Sequence, residues 1–241
     1  MQPPADPRAA RGRSGLAAAL SALLLLAGLL LAFVELADEV IDGDTHAFDR
    51  AVLLALRTSS DSADPVGPAW LETAFRDITT LGGTPVLTTV TLVTLGYLLL
   101  AGRRATALLV TVAVGGGVLL SNLLKAGFER PRPDLVAHLV DISSLSFPSG
   151  HAMMSTVTWL TLGALLATVQ STRRMKAYVL AVGVALALLV GVSRVYLGVH
   201  WPTDVLADWC IGAAWALGCW LFAGWLQRCR QHRRSGIIAG A

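Results

Sequence analysis

Residues 16–34 read LAAALSALLLLAGLLLAFV, nineteen residues without a single Asp, Glu, Lys or Arg. A stretch of this length and composition crosses a hydrocarbon core of about 30 Å as an α-helix that rises about 1.5 Å per residue. A secretory signal would have a shorter apolar core, about 7–15 residues, and would end at a cleavage site. Acidic residues follow here instead, so the stretch predicts a retained first transmembrane helix.

Five further windows are also free of Asp, Glu, Lys and Arg, and each is rich in Leu, Val and Ala. They are Ile78–Gly102, Ala105–Leu124, Ala152–Thr172, Ala177–Ser193 and Trp209–Gln227. The 241 residues are 54% hydrophobic and 15% charged, whereas soluble domains carry about 25% charged residues. The sequence therefore predicts an all-α, polytopic membrane protein with six transmembrane helices.

The Lys and Arg residues are divided unevenly between the two sides that six alternating spans define. With a cytoplasmic N-terminus, the inside segments hold 12 of the 19 Lys and Arg residues but only one of the 16 acidic residues. Because positive residues mark cytoplasmic loops, both termini are predicted to lie inside. Residues 1–15 and 228–241 are interpreted as disordered basic tails that contact anionic lipids, on either side of a six-span domain over 16–227. The net charge of +3 is explained by this topology, and nucleic acid is not an expected partner.

The only long connection, residues 35–77, lies outside in this topology. The spacing of Phe48, Val52, Leu53 and Leu56 predicts an amphipathic helix near the outer interface. Further along this loop, aromatic anchors at headgroup level are expected, and the residues are Trp70 and Phe75.

Two other features have structural explanations. The three glycines 115–117 predict close helix packing rather than a phosphate loop, because no Lys-Ser or Lys-Thr pair follows them. Cys210, Cys219 and Cys229 lie in or just after the last span, so an extracytoplasmic disulfide framework is not expected.

Polar residues collect in three clusters at span ends, over positions 125–133, 147–151 and 193–204. Polar groups at membrane depth are costly, so their presence there calls for a function. In the orientation derived from charge alone, all three clusters fall on the outer face. We expect them to converge on one extracytoplasmic pocket.

The cations of these clusters are suited to bind a phosphoryl group. Lys125, Arg132 and Arg194 offer enough donors to surround its oxygens, and Arg favours bidentate contacts with oxyanions. Ser149 and Gly150 mark a helix start, where free backbone N–H groups and the helix dipole favour an anion.

The two histidines suggest a division between a nucleophile and an acid. His200 and Asp204 are four residues apart, so the carboxylate can bind one imidazole nitrogen and leave the other free to attack. His151 begins the helix of the Ser-Gly pair. A channel or transporter would place ionisable groups nearer the midplane or along a pathway. A lipid-binding protein without activity is a further alternative, but it would not need both His151 and the His200–Asp204 pair.

These clusters resemble the three motifs of the type 2 phosphatidic acid phosphatase (PAP2) superfamily, K-x6-R-P, P-S-G-H and S-R-x5-H-x3-D. They stand here, in order and within 80 residues, as Lys125-x6-Arg132-Pro133, Pro148–His151 and Ser193-Arg194-x5-His200-x3-Asp204. The resemblance implies that His200 forms a phosphohistidine, that Asp204 orients it and that His151 is the general acid. It implies phosphate binding by Lys125, Arg132, Ser149, Gly150 and Arg194, and neither metal nor cofactor.

The resemblance further implies a lipid-phosphate phosphatase at the outer face of a bacterial inner membrane, with membrane lipids as its surroundings. Undecaprenyl diphosphate is the first expected substrate. Phosphatidylglycerophosphate, phosphatidate and lipid A phosphates are alternatives, and a phosphotransferase would use the same residues. Arg130 duplicates the Arg-Pro of Arg132; it either assists in binding the headgroup or faces solvent, and we expect the second. Asp208 is expected to be a helix-end carboxylate without a catalytic role.

The predicted topology can be tested with a cysteine introduced beside Asp134. Because this position lies in an outside loop, the new thiol should react with a membrane-impermeant maleimide added to intact cells. The chain with only its native cysteines is the control. Labelling only from the cytoplasmic side would overturn the orientation.

Overall fold

The structure is a computed structural model that describes the backbone of residues 7–128, 130–140 and 145–239, and the side chains of 16–128, 130–140 and 145–229. Within these ranges the chain is mostly helical. The helices are α1 (Pro7–Asp42), α2 (His46–Ala55), α3 (Ala69–Thr80), α4 (Thr84–Leu100), α5 (Arg104–Gly127), α6 (Gly150–Val169), α7 (Arg173–Tyr196) and α8 (Pro202–Ala239). A short antiparallel hairpin, β1 (Arg57–Thr58) and β2 (Asp61–Pro65), follows α2.

Five of these helices, α1, α5, α6, α7 and α8, are long and apolar enough to cross a membrane. Helices α3 and α4, bent by 44° at the break between them, are together long and apolar enough to make a sixth, broken span. The all-α fold with six spans is therefore confirmed. The window Ile78–Gly102 differs from the expected single helix because the chain breaks at Gly82 and Gly83, which are poor helix formers, and Pro85 then lies in the first turn of α4.

Both basic segments are helical where the structure describes them. Helix α1 begins at Pro7 and α8 continues to Ala239, so the expectation of disordered tails is wrong for these residues. Ala and Arg are strong helix formers, and each segment directly continues a long apolar helix. Residues 1–6 and 240–241 lie outside the described part of the chain.

Helix α6 is central and packs against α5, α7 and α8. Its contact with α7 is made by glycines: a Cβ added to Gly183 would lie 2.7 Å from the carbonyl oxygen of Trp159, and one added to Gly163 would lie 3.2 Å from that of Val179. Small residues let two membrane helices approach closely enough for backbone contact. This contact holds the start of α6 beside the end of α7.

Helix α2 forms within the long loop, as predicted, and packs on the same end of the bundle. Its Leu53 is buried in a cluster with Ala152, Trp201 and Val205, whereas Phe48 is 51% exposed. The helix is therefore amphipathic, with its inner face against the starts of α6 and α8.

The two aromatic residues of the following segment have different surroundings. Trp70 is 69% exposed, as an interfacial anchor requires. Phe75 stacks on Tyr196, with ring centroids 4.2 Å apart, so it contributes to packing within the protein.

The predicted close packing at Gly115–Gly117 is confirmed for two of the three glycines. A Cβ on Gly116 would lie 2.5 Å from Cζ2 of Trp215, and one on Gly117 would lie 3.1 Å from Cγ1 of Val157. The Trp215 indole also donates to the carbonyl of Ala113 (2.8 Å). Helix α5 is thus bound tightly to α6 and α8.

Gly116→Ala is expected to lower the thermal stability of the protein in detergent, because the new methyl group collides with Trp215. Gly115→Ala is the matched control, since a Cβ there meets no atom within 4 Å. The control should unfold at the wild-type temperature or slightly above it, because Ala favours a helix over Gly by about 1 kcal/mol. Equal melting temperatures for the two variants would contradict this packing of Gly116 against Trp215.

Candidate active site

The three polar clusters lie together at one end of the helical bundle. Electrostatic interactions join His151 to Arg194, His200, Lys125 and Arg132, which come from all three clusters. The predicted convergence is therefore confirmed for these residues. The side of the membrane on which they lie remains a prediction.

His200 is buried between a cation and a carboxylate. Its Nε2 lies 3.1 Å from Nη1 of Arg132, and its Nδ1 lies 3.7 Å from Oδ2 of Asp204. Because a guanidinium can only donate hydrogen bonds, the lone pair is assigned to Nε2 and the proton to Nδ1. This is the tautomer in which Nε2 can act as a nucleophile.

The protonation state of His200 favours the same chemistry. Burial lowers the pKa of His200 to about 4, although the neighbouring Asp204 carboxylate acts in the opposite direction. The imidazole is therefore neutral at pH 7 and becomes protonated only in acid.

Asp204 is fully buried, and several donors bind its two oxygens. Arg130 donates to Oδ1, while Oδ2 accepts from the Ser146 hydroxyl and from the backbone N–H of Trp201 at 3.2 Å. The Ser146 hydroxyl also lies 3.5 Å from Nδ1 of His200. These contacts fix the carboxylate that faces the imidazole.

The start of α6 is the predicted phosphate-binding turn. Ser149 caps the helix, because its hydroxyl accepts from the N–H of Ala152 at 3.3 Å. A Cβ added to Gly150 would meet no atom within 4 Å, so the backbone there borders open space. An anion can approach the first turn of α6 at this point.

Asp208 holds this turn in place. It is fully buried, and its Oδ2 accepts from the backbone N–H of Ser149 at 2.7 Å. Asp208 thus lies near the start of α8, as expected, and also binds the backbone at the start of α6, which was not predicted from the sequence. Asp208 lies one turn after Asp204, on the face of α8 that packs against α6, so its side chain is directed into the protein.

The break between α3 and α4 forms one wall of the site. Thr79 accepts a hydrogen bond from Nη1 of the buried Arg194 at 3.0 Å. A Cβ added to Gly82 would collide with Val190 and lie 3.1 Å from the carbonyl oxygen of His151. The broken span thus contacts both a predicted phosphate ligand and the predicted general acid.

Arg130 does not face solvent, so the expectation for this residue is wrong. Its side chain is only 7% exposed. It donates from Nη2 to Asp49 at 2.7 Å and from Nη1 to Asp204. Two buried carboxylates require a buried cation, because an unpaired charge in the interior is strongly destabilising.

Comparison with known proteins identifies the family. Residues 104–228, just over half of the chain, match the model of the PAP2 superfamily. The chain belongs to this superfamily. PAP2 phosphatases hydrolyse phosphate esters, so this chain is a membrane phosphatase.

Relatives of this PAP2 phosphatase carry related names. It is 34% identical over 187 residues to phosphatidylglycerophosphatase B of Bacillus subtilis, which covers 76% of this chain and 87% of that protein. It is 43% identical over 68 residues to an undecaprenyl-diphosphatase of Sulfolobus acidocaldarius, covering 28% and 29% of the two chains.

A solved structure supports the fold. The crystal structure of a transmembrane PAP2-type phosphatidylglycerolphosphate phosphatase from Bacillus subtilis superposes with a TM-score of 0.74 at 30% identity. The match covers 82% of this chain and 94% of that chain.

Sequence reasoning did not find several residues that surround the PAP2 motifs. Asp49 had a detectable signal, because it shares a helix face with the buried Leu53 and is therefore a charge on an apolar face. Ser146 and Thr79 had none, since a single hydroxyl residue near a span end is common. In the described part of the chain, no group of three or more His, Cys, Asp or Glu residues could hold a metal ion, and metal independence remains a prediction.

Arg194→Ala is expected to weaken inhibition of this phosphatase by vanadate, an oxyanion that resembles the transferring phosphoryl group. Loss of a charge-assisted hydrogen bond of about 1.5–3 kcal/mol corresponds to roughly a 10- to 100-fold rise in the inhibition constant. Arg50→Ala, at an exposed site on α2, is the matched control. Unchanged vanadate inhibition of a folded Arg194→Ala variant would remove Arg194 from the phosphate site.

Proposed function

We propose that this PAP2 phosphatase removes a phosphate from the headgroup of a membrane lipid through a phosphohistidine on His200. The proposal rests on one observation: the unprotonated Nε2 of His200 lies 3.1 Å from Nη1 of Arg132, and Arg132 interacts electrostatically with both Lys125 and Arg194. A nucleophile beside three cations is suited to attack phosphorus in an anionic headgroup.

In the first half of the reaction, Nε2 of His200 attacks the phosphorus atom. A P–N bond forms and the bond from phosphorus to the leaving oxygen breaks. His151, at the start of α6, enters this step as an imidazolium, which the bound anionic headgroup favours, and donates its proton to that oxygen, so the lipid leaves as a neutral alcohol or as a lipid phosphate. Asp204 stabilises the positive charge that develops on the His200 ring.

In the second half, water attacks the phosphorus of the phosphohistidine. His151, now neutral, accepts a proton from this water, and the P–N bond breaks to release inorganic phosphate and neutral His200. An alcohol in place of water would make the enzyme a phosphotransferase with the same residues.

The phosphate-binding residues stabilise the negative charge on the phosphoryl oxygens during both steps. Lys125, Arg132 and Arg194 supply cations, while the N–H of Gly150 and the hydroxyl of Ser149 supply neutral donors at the start of α6. Donors fixed before the reaction cost no reorganisation in the transition state. Asp208 supports this arrangement, because it already binds the N–H of Ser149.

We propose two lipids as candidate substrates. The long alignment with phosphatidylglycerophosphatase B favours phosphatidylglycerophosphate, and we propose it as the first to test. Undecaprenyl diphosphate, expected from the sequence, follows, because its phosphates are exposed on the outer face after transfer of cell-wall polymers and a shorter segment matches an undecaprenyl-diphosphatase. The excess of Lys and Arg on the predicted inner side supports a site that faces outward from a bacterial inner membrane.

The test is phosphate release from each lipid in detergent with EDTA, comparing wild type with His200→Ala. Wild type should release phosphate, and His200→Ala should lose at least about 1,000-fold in rate, because the nucleophile acts in the chemical step. His46→Ala, which removes an exposed histidine, is the control. Wild-type rates from His200→Ala would refute the phosphohistidine, and the preferred lipid follows from the ratio of the two kcat/KM values.

A further inference from the structure

A single guanidinium connects two buried carboxylates at the edge of the active site. Nη2 of Arg130 lies 2.7 Å from Oδ2 of Asp49, and Nη1 donates to Oδ1 of Asp204. Both carboxylates are fully buried. The guanidinium also lies over the ring of Trp201, 5.4 Å from its centroid, so its orientation is fixed in two directions.

Asp49 also binds the residue next to Asp204. The backbone N–H of Thr203 donates to Oδ1 of Asp49 at 2.9 Å, and the Thr203 hydroxyl donates to Oδ2 at 2.7 Å. The Thr203 hydroxyl in turn accepts from Nη1 of Arg130 at 3.0 Å. Helix α2 thereby holds both the cation that binds Asp204 and the first turn of α8 that carries it.

A backbone hydrogen bond joins Arg130 to Ser146, the other side chain that binds Asp204. The N–H of Ser146 donates to the carbonyl of Arg130 at 3.0 Å, and the side chains of both residues donate to Asp204. A shift of Arg130 would therefore change the contacts of both Asp204 oxygens. Because Asp204 faces His200, such a shift would also change the surroundings of the imidazole.

We propose that Arg130 and Asp49 are positioning residues, which set the orientation and the effective charge of Asp204 and, through it, the basicity of His200. This inference rests on the proposed role of His200 as the nucleophile. The positive charge of Arg130 offsets part of the negative charge of Asp204, so Asp204 favours a protonated His200 less strongly. Asp49 binds the same guanidinium and offsets part of its positive charge, so it reduces the influence of Arg130.

The other charged groups around His200 stay unchanged when either Arg130 or Asp49 is substituted. Among the residues that the structure describes, the titratable and charged side chains that face His200 or its immediate partners are Arg130 and Arg132 on the loop after α5, Lys125 on α5, His151 on α6, Arg194 on α7, Asp204 and Asp208 on α8, and Asp49 on α2. A change at Arg130 or Asp49 alters one charge in this set. Its effect on the protonation of His200 therefore has a definite sign.

The experiment is the pH profile of kcat/KM for Arg130→Gln and Asp49→Asn against wild type, on one lipid phosphate. Protonation of His200 in the free enzyme removes the nucleophile, so kcat/KM falls on the acid side. Loss of the Arg130 cation favours the protonated imidazole and should raise the pH at which kcat/KM falls by about 1 unit. Loss of the Asp49 anion acts in the opposite direction, so kcat/KM of Asp49→Asn should fall at the wild-type pH or at a lower pH.

A purely structural role would not give an upward shift for Arg130→Gln without one for Asp49→Asn. Thr45→Ala is the matched control, because it removes one hydrogen bond donated by Nη2 of Arg130 (3.1 Å) but no charged group, and its kcat/KM should fall at the wild-type pH. The substrate ionises in the same way in every assay, so differences between the pH profiles arise from the enzyme.

Arg130→Lys provides the second variant. It keeps the charge, but a single ammonium lacks the planar fork and cannot bind both carboxylates in the same geometry. Its pH profile should stay near wild type, while kcat falls by about 10- to 100-fold with little change in KM, as expected for a misplaced catalytic group. This variant carries the test if Arg130→Gln does not fold.

The outcomes are distinct. An upward shift for Arg130→Gln without one for Asp49→Asn supports the proposal, and so does a reduced kcat for Arg130→Lys. An unshifted Arg130→Gln profile, upward shifts in both variants, or wild-type kcat in Arg130→Lys would overturn it. A wild-type protein without His200-dependent phosphate release would instead refute the proposed function itself.

Discussion

The active site depends on keeping the Asp204 carboxylate ionised and fixed at the end of an apolar helical bundle. An isolated carboxylate in such surroundings is costly and would tend to take up a proton. Arg130, Ser146 and the N–H of Trp201 all donate to it. These donors fix the carboxylate in the position where its Oδ2 lies 3.7 Å from Nδ1 of His200. The arrangement of α2, the loop after α5 and the start of α8 follows from the need to bring these donors together.

Burial of charge also explains which parts of the molecule could be predicted from the sequence. Charge-free windows define the spans because lipid tolerates few ionised groups, and five of the six windows correspond to single long helices. The sixth contains Gly82 and Gly83, where the helix breaks beside His151. Hydropathy does not distinguish a broken span from a straight one, because glycine and threonine are compatible with both.

The motif residues were predictable because their types and spacing restrict the chemistry, and Lys125, His151, Arg194 and His200 do lie together. Their supporting residues were not. Arg130 looks like a solvent-facing cation when its partner is unknown, and that partner, Asp49, lies 81 residues earlier in the chain. Asp208 likewise shows its role only through Ser149, 59 residues away. Contacts of this separation depend on how the helices pack, which no local pattern describes.

Two groups that complete the site lie before residue 104, where the match to the family model begins. Thr79 binds Arg194, and Asp49 binds Arg130. The region that defines membership of the superfamily is thus smaller than the region that builds the working centre. Two relatives with identical motifs can differ in the electrostatics of those motifs if their first hundred residues differ. A chimaera that joins the N-terminal third of one member to the catalytic part of another would exchange these supports without altering a single motif residue.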